Sequence, residues 1–379
     1  MTKYVVRRIA QAIPVLFGVT IITYLILALA PGGPESRFAN NPRITADVRA
    51  RFLKAWGLDQ PWPVQYCRWM GFCNPNAANV VLSDAPVLDH VPHPGAFLGP
   101  TGWPNVLPEP ISGSSNGVFH GDFGFSVQTG QYVSNMIVRA ALPTFILAAF
   151  ALVIWIGIAV LMGVYAAIHR YSLFDQAATV FAYVGFAMPT FWLGIMLIFI
   201  FAGPGLNILP AGGMTDTRLS PPFGSEAYWK YFGSKPIEGL LDIGKHLILP
   251  VFTLVVVNIA GDSRFVRASM LEALNQDYVR TAKAKGLPGR TVTFKHALRN
   301  AMLPVLTNIG LEIPFLFTGA IVTETIFSWP GIGNLTIDAT RNFDYPVLMG
   351  VLLISSTIVV LANLLADVAY AFVDPRIKY

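Results

Sequence analysis

Charge is what this 379-residue chain has least of: Asp, Glu, Lys and Arg make up only 12% of it, against 54% hydrophobic residues. A soluble domain carries about 25% charge, so there is too little polar material to cover a globular surface. Two cysteines are too few for a disulfide scaffold. No stretch fits the Gly-x-x-x-x-Gly-Lys-Ser/Thr phosphate loop, which excludes nucleotide binding of that kind within this chain. No Asp, His or Glu pair recurs at helical spacing inside the apolar runs, which argues against a membrane-embedded enzyme. His90, His93 and His120 are irregularly spaced, with no Cys or acidic set to complete a metal site, so none is read. Disorder is excluded by 26 Phe, 13 Tyr and 8 Trp and a mean hydropathy of +0.55.

What is present is a series of long uncharged runs. A helix needs about 20 mostly apolar residues to cross a hydrocarbon core of about 30 Å. Such runs extend over residues 9–34, 140–168, 177–201, 247–261, 300–323 (apart from Glu312) and 346–366. They predict an all-α polytopic membrane protein with six transmembrane helices. The fourth run is short, but its apolar pattern continues past Asp262, as in a helix that leaves the bilayer and continues in water. The first run exceeds the 7 to 15 apolar residues of a signal peptide and ends in Ala30-Pro31-Gly32-Gly33-Pro34, so a retained helix is expected.

Orientation follows the basic loops. Lys3, Arg7 and Arg8 precede the first run, Arg170 follows the second, and Arg376 and Lys378 close the chain. Residues 262–300 hold Arg264, Arg267, Arg280, Lys283, Lys285, Arg290, Lys295 and Arg299 against Asp262, Glu272 and Asp277, a local excess equal to the net charge of +5. Both termini and this loop are therefore expected on the cytoplasmic side. Attraction to the inner leaflet accounts for the basic pI of 9.2 without nucleic acid.

Three blocks result: an N-terminal segment with the first helix (1–34), an enlarged outer loop (35–138) and a core of five further helices (139–379). Within the outer loop, Thr45–Gly57 reads as a short helix, with Val48, Phe52 and Ala55 on one face. Fourteen of the 50 residues from Gly71 to His120 are Pro or Gly, the mark of an irregular insertion over about 70–120. Cys67 and Cys73 at its start are either two thiols or, on an oxidising side, a small disulfide loop. The second outer loop, residues 203–245, has the Pro, Gly and aromatic content of a compact lid. In the third, Phe327-Ser328-Trp329-Pro330-Gly331-Ile332-Gly333 reads as a helix-ending turn with an interfacial Trp.

The cytoplasmic loop carries most information. Leu271, Leu274, Tyr278 and Ala282 fall on one helical face, Gly286 interrupts, Pro288-Gly289 turns the chain, and Phe294, Ala297, Leu298 and Ala301 resume the helical pattern. The prediction is a helix-turn-helix hairpin at the membrane surface, with small residues Thr281, Ala282 and Ala284 that let a partner approach.

The stretch Asp277-Tyr278-Val279-Arg280-Thr281-Ala282-Lys283-Ala284-Lys285-Gly286, followed by His296-Ala297-Leu298-Arg299-Asn300-Ala301-Met302-Leu303-Pro304, resembles the permease signature of ATP-binding cassette importers, and more narrowly the B-type permease of the dipeptide/oligopeptide/nickel class. Gly57-Leu58-Asp59-Gln60-Pro61, Gly121-Asp122-Phe123-Gly124, Pro189-Thr190-Phe191-Trp192-Leu193-Gly194, Asp344-Tyr345-Pro346 and Asp374-Pro375-Arg376 support it in the same order. Arg280-Thr281-Ala282 stands where the general signature has Glu-Ala-Ala. The resemblance implies a type I importer permease fold in a bacterial inner membrane. It implies a homologous second permease, two ATP-binding subunits that hold ATP and Mg (with no cofactor in this chain), an extracytoplasmic solute-binding protein and a peptide cargo. It also implies that Asp277, Tyr278, Arg280, Thr281, Ala282, Lys283, Ala284 and Gly286 form an ATPase-coupling helix. Nickel or an oligosaccharide is the alternative cargo, and an ion-coupled secondary transporter the alternative class. Glu312, alone near the middle of the fifth run, is either a substrate-path carboxylate or a structural hydrogen-bond partner.

Overall fold

A computed structural model describes residues 2–29, 60–72, 117–203, 205–317 and 320–373. The short helix expected over Thr45–Gly57 and Cys73 lie outside the described residues. Among the described residues the architecture is all-α, with one isolated β-bridge between Phe125 and Tyr132. The helices are α1 (Thr2–Leu29), α2 (Trp62–Met70), α3 (Val133–Ile168), α4 (Leu173–Ala187), α5 (Thr190–Phe201), α6 (Glu226–Ser234), α7 (Pro236–Leu274), α8 (Asp277–Ala284), α9 (Leu298–Phe317), α10 (Ile321–Ile326), α11 (Ile332–Arg341) and α12 (Tyr345–Val373). Among the described residues four helices, α1, α3, α7 and α12, are long and apolar enough to cross a membrane, and the bent pair α4–α5 makes a fifth if it is one span.

Two departures from the sequence reading concern these spans. The run 177–201, read as one helix, is two helices bent by 102°. Proline is the cause: Pro189 disfavours helical geometry in the residue before it, and Met188 is extended at φ −83°, ψ 121°. The short fourth run lies inside the 39-residue α7, about 58 Å long at 1.5 Å per residue. That is well beyond a bilayer core, as expected of a helix that continues into water. Its last part is amphipathic: Asp262, Ser263, Val266, Ser269, Met270 and Ala273 are buried at three- and four-residue spacing.

The chain divides into two compact units. One comprises Met1–Ala12, Ala140–Asn334 and Thr357–Tyr379, the other Ile13–Arg139 and Leu335–Ser356. In the second unit, α2 lies along α1. Thr20 Oγ1 and Tyr66 OH are 2.7 Å apart and Tyr24 OH donates to Gln65 Oε1 at 2.8 Å, while the Tyr24 ring meets Tyr66 edge-on and Trp69 at a tilt. Asp344, buried before α12, accepts from Ser126 Oγ and from the Val127 and Gln128 N–H groups. One carboxylate thereby fixes the turn that follows Gly121-Asp122-Phe123-Gly124.

The same unit brings the two ends of the insertion together. Gly71 caps α2 at φ 88° and Gly117 has φ 83°, and a Cβ on Gly117 would collide with the Gly71 backbone. The Phe72 and Phe119 rings sit 4.6 Å apart. The described residues thus stop at Phe72 and resume at Gly117 with these two ends in contact, so closing a connection between them is inexpensive. Replacing residues 73–116 with a short Gly/Ser bridge, together with Cys67→Ser, is expected to leave thermal stability within about 1 kcal/mol, because shortening the loop about eightfold gains about 2 kcal/mol and losing a small disulfide loop costs about 2 kcal/mol. Detergent-solubilised melting curves check this. Cys67 is disulfide-bonded in the structure.

Candidate functional site

The expected hairpin is present, with a different phase. α7 ends at Leu274, and Asn275 and Gln276 reset the chain before α8 starts at Asp277. The reset turns Val279 inward (0% exposed) together with Ala282 (6%) and leaves Tyr278 partly in solvent. The inward face expected from continuous periodicity, Tyr278 with Ala282, is therefore corrected to Val279 with Ala282. Ala282 is also not a small outward residue awaiting a partner. It packs with Val266, Met270, Ala273, Val292, Ala297, Ala301, Val305 and Ile309 in one apolar core that joins α7, α8 and α9.

The other coupling candidates face out. Asp277, Tyr278, Arg280, Thr281, Lys283, Ala284 and Gly286 are all exposed. Asp277 and Arg280 make a loose, solvent-exposed ion pair at 3.6 Å, of a kind that contributes little to stability. Thr281 Oγ1 donates to its own helix at the Asp277 carbonyl, 3.0 Å away. Gly286 ends the helix at φ +75°, and the Leu287 N–H returns to the Ala282 carbonyl at 3.4 Å. That closure needs a left-handed residue, the reason a glycine stands there. After Pro288-Gly289, residues Val292–Ala297 form a π-helical turn that runs into α9, a local widening often found at functional sites. A rigid helix thus presents a mixed-charge surface (Asp277, Arg280, Lys283, Lys285) around Tyr278, Thr281 and Ala284, backed by an apolar core. This surface suits docking of another protein.

Glu312 has a hydrogen-bond partner, as one of the two readings of the sequence allowed, in a group that neither reading named. Asn308 Nδ2 donates to Glu312 Oε1 at 3.2 Å and to Asp262 Oδ1 at 3.1 Å. The Trp155 indole N–H donates to Asp262 Oδ2 at 2.7 Å. A hydrophilic contact therefore links α3, α7 and α9 at the point where α7 turns from apolar to amphipathic. Asn308 sits one turn before Glu312, which is the only signal that could have pointed to the pair.

The third outer loop also differs from expectation. Trp329, read as interfacial, is 0% exposed. Its indole N–H donates to the Pro143 carbonyl at 2.9 Å, and its ring packs among Leu147, Trp155, Met214 and Leu254. Beside it, Glu324 is fully buried. It accepts from Thr144 Oγ1 at 2.8 Å and from the Asn334 N–H at 3.1 Å, while Thr144 accepts from the Ile332 N–H at 2.8 Å. Burial pushes the Glu324 carboxyl above the ordinary glutamate range, against the pull of hydrogen bonds from Thr144, Asn334 and Gly333. In the second outer loop, the aromatic content forms a cluster on α6 in which the Tyr228 ring is flanked by Phe223, Trp229 and Phe232.

Fold and site together define a polytopic α-helical membrane subunit with a stiff helix, exposed along one face, outside its spans. Residues 159–379 match the family of binding-protein-dependent transport system inner membrane components, and residues 1–90 match the N-terminal region of such components. The oligopeptide transport system permease protein AppB of Bacillus subtilis is 36% identical over 100% of both chains. The dipeptide transport system permease protein DppB of Escherichia coli K12 is 34% identical over 100% of this chain and 99% of its own, as is the di/tripeptide transport system permease protein DppB of Pseudomonas aeruginosa. The chain belongs to the family of inner membrane components of binding-protein-dependent transport systems.

Proposed function

We propose that this chain is the permease subunit of a peptide importer of the ATP-binding cassette class, and that α8 is the element through which it is driven. The carrying observation is the two-faced build of α8: Val279 and Ala282 lock it to α7 and α9, while Tyr278, Thr281 and Ala284 remain free for a partner. A helix held that rigidly moves with its spans when pushed, which a loosely tethered loop does not. ATP and Mg belong to two separate ATPase subunits. Their closure draws the hairpins together and re-orients six spans, paired with those of a homologous second permease, from inward-open to outward-open. Both termini of this chain lie in the cytoplasm, and a solute-binding protein delivers peptide on the opposite side. Full-length similarity to permeases named for oligopeptides, dipeptides and di/tripeptides supports the cargo.

Glu312, which accepts from Asn308 beside Asp262, supplies a carboxylate to the route, where the ammonium end of a peptide would be stabilised. Glu312→Gln is expected to lower peptide uptake roughly tenfold, about 1.4 kcal/mol of interaction, with ATP hydrolysis retained. Uptake of labelled dipeptide into vesicles, compared with and without the ATPase subunits, tests the whole reading. Transport is expected to vanish without them, whereas transport that persists on an ion gradient would mark an ion-coupled carrier.

A further inference from the structure

The bent pair α4–α5 precedes α7 in the chain and α8 follows it, so the shortest route for a push at α8 to reach α4–α5 runs through the contacts of α7. Asp175, on the first turn of α4, and Arg267, on α7, meet in a two-pronged contact: Arg267 Nε donates to Oδ1 at 2.6 Å and a terminal guanidinium nitrogen to Oδ2 at 2.8 Å. The Asp175 side chain is 5% exposed. The same carboxylate accepts the Tyr171 N–H at 2.9 Å, and the Asp175 N–H donates to the Ser172 hydroxyl that caps α4. Tyr171 adopts a left-handed φ of 64°, a costly conformation for a non-glycine residue that the surrounding contacts must hold. The turn between α3 and α4, the start of α4 and the flank of α7 are thus fixed at one side chain. A two-pronged guanidinium–carboxylate contact fixes direction as well as distance, which apolar packing does not.

On either side of this joint the packing is tight. Val266, beside Arg267, belongs to the core that holds Val279 and Ala282 of α8. At the far end of α4, a Cβ on Gly185 would meet Ala260 Cβ at 3.1 Å, and a Cβ on Gly194 of α5 would meet Phe327 of the outer loop at 3.3 Å.

We propose that Asp175 and Arg267 are positioning residues for transport: they pass displacement of α8 through α7 to α4–α5, so that ATP hydrolysis is converted into re-orientation of the spans. This rests on the reading of α8 as the ATPase-coupling helix.

The experiment uses the complete reconstituted transporter and measures peptide moved per ATP hydrolysed. Asp175→Ser keeps a hydroxyl able to serve the start of α4 but removes the ion pair. Arg267→Met removes it from the other side, and Arg267→Lys keeps the charge without the fork. The complex is expected to assemble with its ATPases in every case. The ratio is expected to fall at least tenfold in Asp175→Ser and Arg267→Met and by an intermediate amount in Arg267→Lys. It is expected to fall no further in the double variant, because either substitution alone already removes the whole ion pair. An unchanged ratio in the single variants, or losses that multiply in the double variant or track melting temperature, overturns the proposal. Failure of the unsubstituted chain to bind ATPase subunits would overturn the coupling-helix reading, and this proposal with it.

Discussion

Ala284→Trp is expected to leave the chain folded and to weaken capture of the ATPase subunits about thirtyfold, whereas Ala282→Trp is expected to destabilise the fold by about 1–3 kcal/mol or more. The two residues lie two positions apart on α8, about 200° around the helix. Ala284 is exposed and Ala282 is buried at 6% exposure. An indole at 282 has to enter the space filled by Val266, Met270, Ala297 and Val305, and overpacking of that kind costs about 1–3 kcal/mol or more. An indole at 284 starts from an exposed position and projects from the surface proposed for docking. Disrupting the centre of an interface costs about 2 kcal/mol, roughly a thirtyfold weaker complex. Co-purification of ATPase subunits, read beside melting temperature in detergent, separates the effects. Equal destabilisation by both variants would count against the assignment of faces.

The second large effect is expected at Gly331. A Cβ there would collide with the Glu324 carboxylate and meet the Thr144 hydroxyl at 2.5 Å. Both are fully enclosed, so neither can swing into solvent, and Gly331→Ala must break the hydrogen bonds that tie Glu324 and Thr144 to Asn334 and Ile332. Each buried polar group left unpaired costs about 1–3 kcal/mol, which puts the loss at about 3 kcal/mol or more, as large as a severe core mutation. Glu324→Ala, which strands the same donors, is expected to match it, and Glu324→Gln to cost less. The pH dependence has a definite sign. The folded chain holds the Glu324 proton more tightly than the unfolded chain, so this group's contribution is fully present below the unfolded glutamate pKa. It declines as pH rises from there through the raised folded value, and is constant above. Melting temperature followed upward from about pH 4 should show this decline, and Glu324→Gln should remove it. A slope that survives the substitution belongs to another group.

Much of the fold is legible in the chain itself because the relevant forces are local. Uncharged runs announce apolar helices, Gly286 announces the left-handed end of α8, and Pro288-Gly289 announces the turn after it. The amphipathic continuation beyond Asp262 points to the long form of α7. What escapes is set by phase or by distance. Asn275 and Gln276 shift the buried face from Tyr278 to Val279, a rotation that periodicity through the break cannot register. Pro189 is visible, yet whether a proline merely kinks a span or splits it by 102° depends on the packing around it. Asp175 and Arg267 are 92 residues apart, and Glu324 and Thr144 are 180 apart, so nothing in the local pattern links them. Trp329 reads as interfacial because an amphipathic ring suits that level, but its N–H finds the Pro143 carbonyl inside instead.

A photo-reactive side chain placed singly along α8 in native membranes tests most directly whether this short helix is where a separate engine takes hold. At Thr281 it is expected to join the chain to a protein that mass spectrometry identifies as an ATP-binding subunit, and at Val279 to yield only bonds within the chain. No such subunit captured from Thr281, or equal capture from both positions, would contradict the account.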